Sequence, residues 1–67
     1  MNRHQQHEIN ISLDNIGAAK GIIRTFELVL LREPPVWLVP DISESIKRAE
    51  RIIERERHRI SLIEQGG

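Results

Sequence analysis

The residues best suited to chemistry lie near the start of the chain, where His4, His7 and Glu8 stand close together. Two histidines three residues apart can share one face of a helix and bind a metal ion. Only two nitrogen ligands in a polar terminal segment are more typical of a solvated tail. We therefore expect no metal site.

The hydroxyl and thiol groups give no basis for nucleophilic catalysis. The four serines lie at predicted helix caps or on a predicted helix, and no histidine–aspartate pair is suggested for any of them. The chain has no cysteine and no glycine-rich phosphate loop. We therefore expect a protein that is not an enzyme and that uses no cofactor.

The length of the chain bears on how it can be stabilised. With 67 residues it forms one domain at most. Below about 70–80 residues a single core rarely supplies more than ~3–5 kcal/mol, and small chains usually add a disulfide, a metal or a partner. Because cysteine is absent, self-association or a partner is the expected reinforcement.

The charge balance and the apolar runs restrict the partners. Ten Lys and Arg residues balance ten Asp and Glu residues, so the whole molecule has no general attraction to nucleic acid or anionic lipid. The polar start is unlike a signal peptide, and the longest apolar run, residues 28–31, is far shorter than the ~20 residues that a spanning helix needs. We expect a cytoplasmic protein with no membrane contact.

The segment 33–40, which we call the strap, divides the chain. Its prolines, Pro34, Pro35 and Pro40, interrupt helical structure, and between them lie four apolar residues that include the only tryptophan, Trp37. The sequence predicts an all-α hairpin in which one helix covers residues 13–32 and a second covers residues 41–64.

Residues 1–12 are predicted to form a polar arm. From Glu8 to Leu13 apolar and polar residues alternate, a pattern typical of a short strand. Alternatively, Leu13 belongs to the first helix, and Ile9 and Ile11 form an apolar lead-in to it.

The first predicted helix has one apolar face and one face of small residues. Ser12 or Asp14 can cap its start. An apolar stripe follows at spacings of three and four, formed by Ile16, Ala19, Ile23, Phe26 and Leu30. Away from this stripe, Gly17, Gly21 and Thr25 recur every four residues, which indicates either a second contact surface or glycine that is simply tolerated.

The second predicted helix has the more regular pattern. Asp41 and Glu44 have the spacing of a capping box. A heptad seam then runs through Ile42, Ile46, Ala49, Ile53, Glu56, Ile60 and Ile63. A carboxylate at such a position is costly to bury unless it is paired, so Glu56 either pairs with Arg57 or Arg59 of a neighbouring chain or lies where the seam is open.

Two apolar helices of this kind cannot bury both stripes alone, so we expect two hairpins to form a dimeric four-helix bundle. The predicted oligomer interface comprises Ile16, Ile23, Phe26, Leu30, Ile46, Ile53, Glu56 and Ile60.

The surfaces left for another partner are the strap and a basic stripe on the second helix. The basic stripe consists of Lys47, Arg48, Arg51, Arg55, His58 and Arg59. It can contact an acidic protein surface, or it is a solvated face with pairs such as Glu44 with Arg48. We expect Trp37 to fold back as a lid on the hairpin, with a binding anchor as the alternative. These features favour a protein-interaction module that acts as a regulator, inhibitor or adaptor.

The alternative function is DNA binding. The order strand, helix, loop, helix resembles the ribbon-helix-helix repressors and antitoxins, although the first helix and the strap are longer than in that family. The resemblance implies that Glu8, Asn10 and Ser12 read the major groove from paired strands, and that residues 43–46 open the second helix. Nucleic acid is the partner on that interpretation.

Overall fold

The computed structural model describes residues 2–66. Helix α1 covers Arg3–Leu31, a short 3-10 helix covers Val36–Leu38, and helix α2 covers Val39–Gly66. The two long helices pack against each other as a hairpin that measures 49 × 14 × 11 Å. The predicted all-α hairpin is therefore confirmed.

Helix α1 begins ten residues earlier than the sequence predicted. Asn2 caps it: the Asn2 side chain accepts from the Gln5 amide at 2.8 Å, and the Gln5 side chain accepts from the Asn2 amide at 3.0 Å. This reciprocal pair is a capping box. The predicted polar arm 1–12 and the predicted caps at Ser12 and Asp14 are wrong over the described residues.

The strand predicted from the alternation at residues 8–13 is also wrong, because these residues are helical. Ile9 and Ser12 continue the three–four spacing of the α1 stripe by two more steps, and both are buried. The longer helix matches α2 in length, so that the last turns of α2 are covered too. The ribbon-helix-helix resemblance loses the strand on which it depended.

The core between the helices consists of few side chains. The apolar members are Ile9, Ile16, Ala19, Ile42 and Ala49. Two polar residues, Ser12 and Glu56, are buried with them. Two of the five apolar side chains are alanines, so the hairpin buries little apolar surface for its length.

The connection between the helices turns at Glu33, whose φ of 54° lies in the left-handed region. The Arg32 and Glu33 amides donate to carbonyls of the last turn of α1, at 3.0 and 3.3 Å. A left-handed residue commonly ends a helix in this way, although glycine is the usual choice.

Helix α2 begins at Val39, two residues before the predicted start. Pro40 is compatible with this position because backbone amides in the first turn of a helix have no carbonyl partner within the helix. The amide hydrogen that proline lacks is therefore not needed there. Asp41 therefore lies inside the first turn, where its charge suits the positive helix end, and its role as the predicted capping residue is wrong.

Candidate interaction surfaces

The predicted seam residues divide into two groups. Ile16 of α1 and Glu56 of α2 are buried between the helices of one hairpin. The others are only partly covered in the single chain: Ile23, Phe26, Leu30, Ile46, Ile53 and Ile60. The hairpin thus buries two of the eight predicted interface residues internally, and the other six keep exposed surface that a second chain could cover.

The two buried polar residues lie on the inner faces of the two helices. Arg59 donates to the carboxylate of Glu8, which ties the start of α1 to the last third of α2. Glu56 borders a groove lined on α1 by Asn15, Ala18, Ala19 and Ile22. These four residues begin about one turn beyond Ser12 along α1, so Ser12 and Glu56 lie at different levels of the hairpin.

Both buried polar side chains are poor in hydrogen bonds. Ser12 is 0% exposed and Glu56 is 6% exposed. Neither Ser12 Oγ nor Glu56 Oε2 has a hydrogen-bond partner among residues 2–66. Sequence reasoning identified Glu56 but missed Ser12, which it assigned to a cap. The spacing from Ile9 through Ser12 to Ile16 was the signal that could have placed Ser12 in the seam.

The arginines predicted to pair with Glu56 from a neighbouring chain have other surroundings in the hairpin. Arg59 contacts Glu8 of its own chain. Arg57 lies with Glu50, Ile53 and Glu54 at a surface depression of ≈ 470 Å³. Pairing of Glu56 with either arginine across chains stays a prediction.

The basic stripe is partly neutralised within the chain. Glu44 Oε1 lies 3.6 Å from Arg48 Nε and 3.2 Å from an Arg51 guanidinium nitrogen. With Arg59 held by Glu8, the members with no carboxylate within 4.0 Å in the described part of the chain are Lys47, Arg55 and His58. The predicted pair of Glu44 with Arg48 is confirmed.

The tip of the hairpin exposes a group of large apolar side chains, which we call the tip patch. Leu31 is 79% exposed, Val36 86% and Trp37 74%. Trp37 therefore does not fold back over the helix ends, and the predicted lid is wrong for the single chain. The 3-10 turn at residues 36–38 directs the indole outward, since its neighbour Leu38 takes the partly buried position.

The face of small residues on α1 is open. No atom lies within 4 Å of a Cβ built on Gly17 or Gly21 apart from the local helix backbone. The Thr25 hydroxyl donates to the Gly21 carbonyl at 2.8 Å, which satisfies it locally. These glycines do not serve the contact between α1 and α2.

The N-terminal histidines are not brought to other ligands. His4 Nε2 lies 3.9 Å from Glu8 Oε1, and His7 is exposed on the same helix. Among residues 2–66 no group of three histidine, aspartate or glutamate side chains is arranged to hold a metal ion.

Comparison with known proteins gives no relative: no family model, no curated protein and no solved structure matches the chain. Within residues 2–66, neither helix contains an apolar stretch long enough to cross a membrane.

Proposed function

We propose that the chain is a small, non-enzymatic protein-interaction module that works as a dimer of hairpins and regulates, inhibits or links another macromolecule. The observation that supports this best is the apolar surface of the single hairpin. Over residues 2–66, only five apolar residues are buried, while nine large ones are exposed: Ile11, Leu13, Ile22, Leu28, Leu31, Val36, Trp37, Val39 and Leu62. Where such residues are neighbours, as Val36 and Trp37 are at the tip patch, the exposed apolar surface is typical of interaction sites.

Self-association accounts for the part of this surface that lies along the helices. A core of this size supports little stability by itself, and a chain without cysteine cannot add a disulfide. Pairing two hairpins into a four-helix bundle would cover the partly exposed flanks of both seams.

The tip patch and the free basic residues are the surfaces proposed for another partner. Trp37 is a side chain of the kind that dominates binding energy in protein interfaces. Lys47 and Arg55 lack a carboxylate partner among the described residues, so they can pair with an acidic protein surface.

Sedimentation equilibrium across the micromolar range tests the oligomer. We expect a mass of two chains, with dissociation on dilution, because the interface is between small hairpins. A folded monomer of one-chain mass throughout that range would contradict the proposal. Circular dichroism of the same samples shows whether a one-chain species is folded.

A further inference from the structure

Helix α1 carries a second column of residues beside the one that packs against α2. It is formed by Ile11, Asn15, Ala18 and Ile22 at spacings of four, three and four, each one position before a member of the inner stripe. At 100° per residue these four residues lie on one side of the hairpin. Such spacing is that of a packing seam, but all four are exposed in the single chain.

The same side of the hairpin contains a groove of ≈ 320 Å³ between the helices. Asn15, Ala18, Ala19 and Ile22 of α1 and Ile52, Arg55 and Glu56 of α2 line it. We call the surface formed by Ile11, Asn15, Ala18, Ile22 and Ile52 the groove face. Because the side chains of Ala18 and Ala19 are small, the groove has room for side chains of another chain.

We propose that a second copy of this chain docks on the groove face, an inference that rests on the proposed self-association and specifies its surface. The solvent-accessible surface area of the hairpin supports docking of a second copy. A folded monomer of 7.8 kDa is expected to expose about 4,400 Å². This hairpin exposes 5272 Å². The excess of about 900 Å² is close to the ~800 Å² that each partner buries in a standard interface.

The residue types on the groove face suit a copy of itself. A two-fold interface brings the same patch from both chains together, so the patch must be apolar and self-complementary. Ile11, Ala18 and Ile22 provide the apolar contacts, and an asparagine in such a seam commonly fixes register and oligomer state. Asn15 has this position.

The opposite side of α1 is a poorer surface for such contact. It exposes Lys20, Arg24 and Glu27, whose charges would lose water on docking. The α1 side of the groove face, Ile11, Asn15, Ala18 and Ile22, carries no charge, and the charged side chains that border the groove, Arg55 and Glu56, both come from α2.

Two matched substitutions on α1 test the surface. Ile22 is 43% exposed on the groove face, and Leu28 is 52% exposed on the side of α1 away from α2. Measured by sedimentation equilibrium, Ile22→Glu should raise the dissociation constant by about tenfold or more, since burying a charge costs well over 1.4 kcal/mol. Leu28→Glu should leave it within about twofold. Equal effects, or a larger effect of Leu28→Glu, would overturn the proposal.

A protection measurement keeps the test valid if Ile22→Glu disturbs the fold. The chain has no cysteine, so Ala18→Cys and Gly17→Cys each introduce a single thiol at adjacent positions. Reaction of the thiol of Ala18→Cys with a bulky maleimide should slow about tenfold as the chain concentration rises through the dissociation constant, because the groove face becomes buried. Gly17→Cys should react at one rate throughout, and protection of Gly17→Cys instead of Ala18→Cys would contradict the proposal.

The failures of the two proposals are distinguishable. A parent chain that stays a folded monomer contradicts self-association itself. A parent that dimerises while Ala18→Cys stays reactive contradicts only the assignment of the groove face.

Discussion

Replacing Glu56 by leucine removes the only charged side chain buried among residues 2–66. Glu56 is 6% exposed, and its Oε2 atom has no hydrogen-bond partner in the described part of the chain. A buried polar group left without a partner costs about 1–3 kcal/mol, and more when it is charged. Leucine is similar in size, so the substitution leaves no large cavity and adds apolar contacts to the seam.

We therefore expect Glu56→Leu to raise the free energy of unfolding by about 2 kcal/mol. For a domain of this length, each kcal/mol shifts the melting temperature by about 4–8 °C, so the expected rise is roughly 8–16 °C. Far-ultraviolet circular dichroism during heating measures it. All variants must be compared at one chain concentration, because association raises the melting temperature.

Two further substitutions separate burial from charge. Glu54 is exposed two positions earlier on α2, so Glu54→Leu should change stability by less than about 0.5 kcal/mol. Glu56→Gln removes the charge but keeps a polar group to be satisfied, and it should melt between the parent and Glu56→Leu. If Glu56→Leu melts at or below the parental temperature while Glu54→Leu is neutral, the carboxylate is satisfied in the folded protein and our account of Glu56 is wrong.

Two other substitutions test the open glycine face and the tip patch. Gly21→Ala should raise the free energy of unfolding by about 0.5–1 kcal/mol, because the added methyl group meets open space and alanine favours the helix; thermal unfolding measures this, and a loss of stability would show that another chain approaches that face. Trp37→Ala should lower stability by less than about 1 kcal/mol, since the indole is 74% exposed, whereas loss of a packed lid would cost ~3–5 kcal/mol. Emission from Trp37 in the parent should be red-shifted and readily quenched, and blue-shifted, protected emission would contradict its exposure in the free protein.

Helix α2 could be predicted from the sequence because its seam repeats strictly. The seam positions recur from Ile42 to Ile63 at spacings of four and three, and all of them except Glu56 are isoleucine or alanine. Only the helical period of 3.6 residues accommodates these spacings. The hairpin followed, since a second apolar stripe preceded the proline-containing segment.

The start of α1 was missed because the residues there fit both the two-residue alternation of a strand and the three–four spacing of a helix. Ile9, Ile11 and Leu13 alternate as in a strand, yet on a helix they point in three directions: Ile9 is buried, and Ile11 and Leu13 are exposed. Ser12 is the residue that connects Ile9 to Ile16 at helical spacing. Because Ser12 is polar, a search for apolar residues alone does not include it in the stripe. The orientation of Trp37 depends on the backbone of a short turn, which composition does not determine.

The groove face was also missed, for a related reason. Asn15 interrupts the apolar column, and Ala18 has too small a side chain to mark a contact surface in the sequence. Only the packing of α1 against α2 shows which exposed residues border a groove between the helices, because the pattern on one helix contains no information about the neighbouring one.

The position of Glu56 links stability to assembly. Its carboxylate is buried at a seam position whose other members on α2 are isoleucine or alanine. A polar seam residue of this kind lowers stability and restricts register and oligomer state. Glu56→Leu should consequently have two effects, a higher melting temperature and a less uniform assembly. Sedimentation velocity should resolve more than one oligomer for this variant, and a single species of parental mass would show that Glu56 does not restrict assembly.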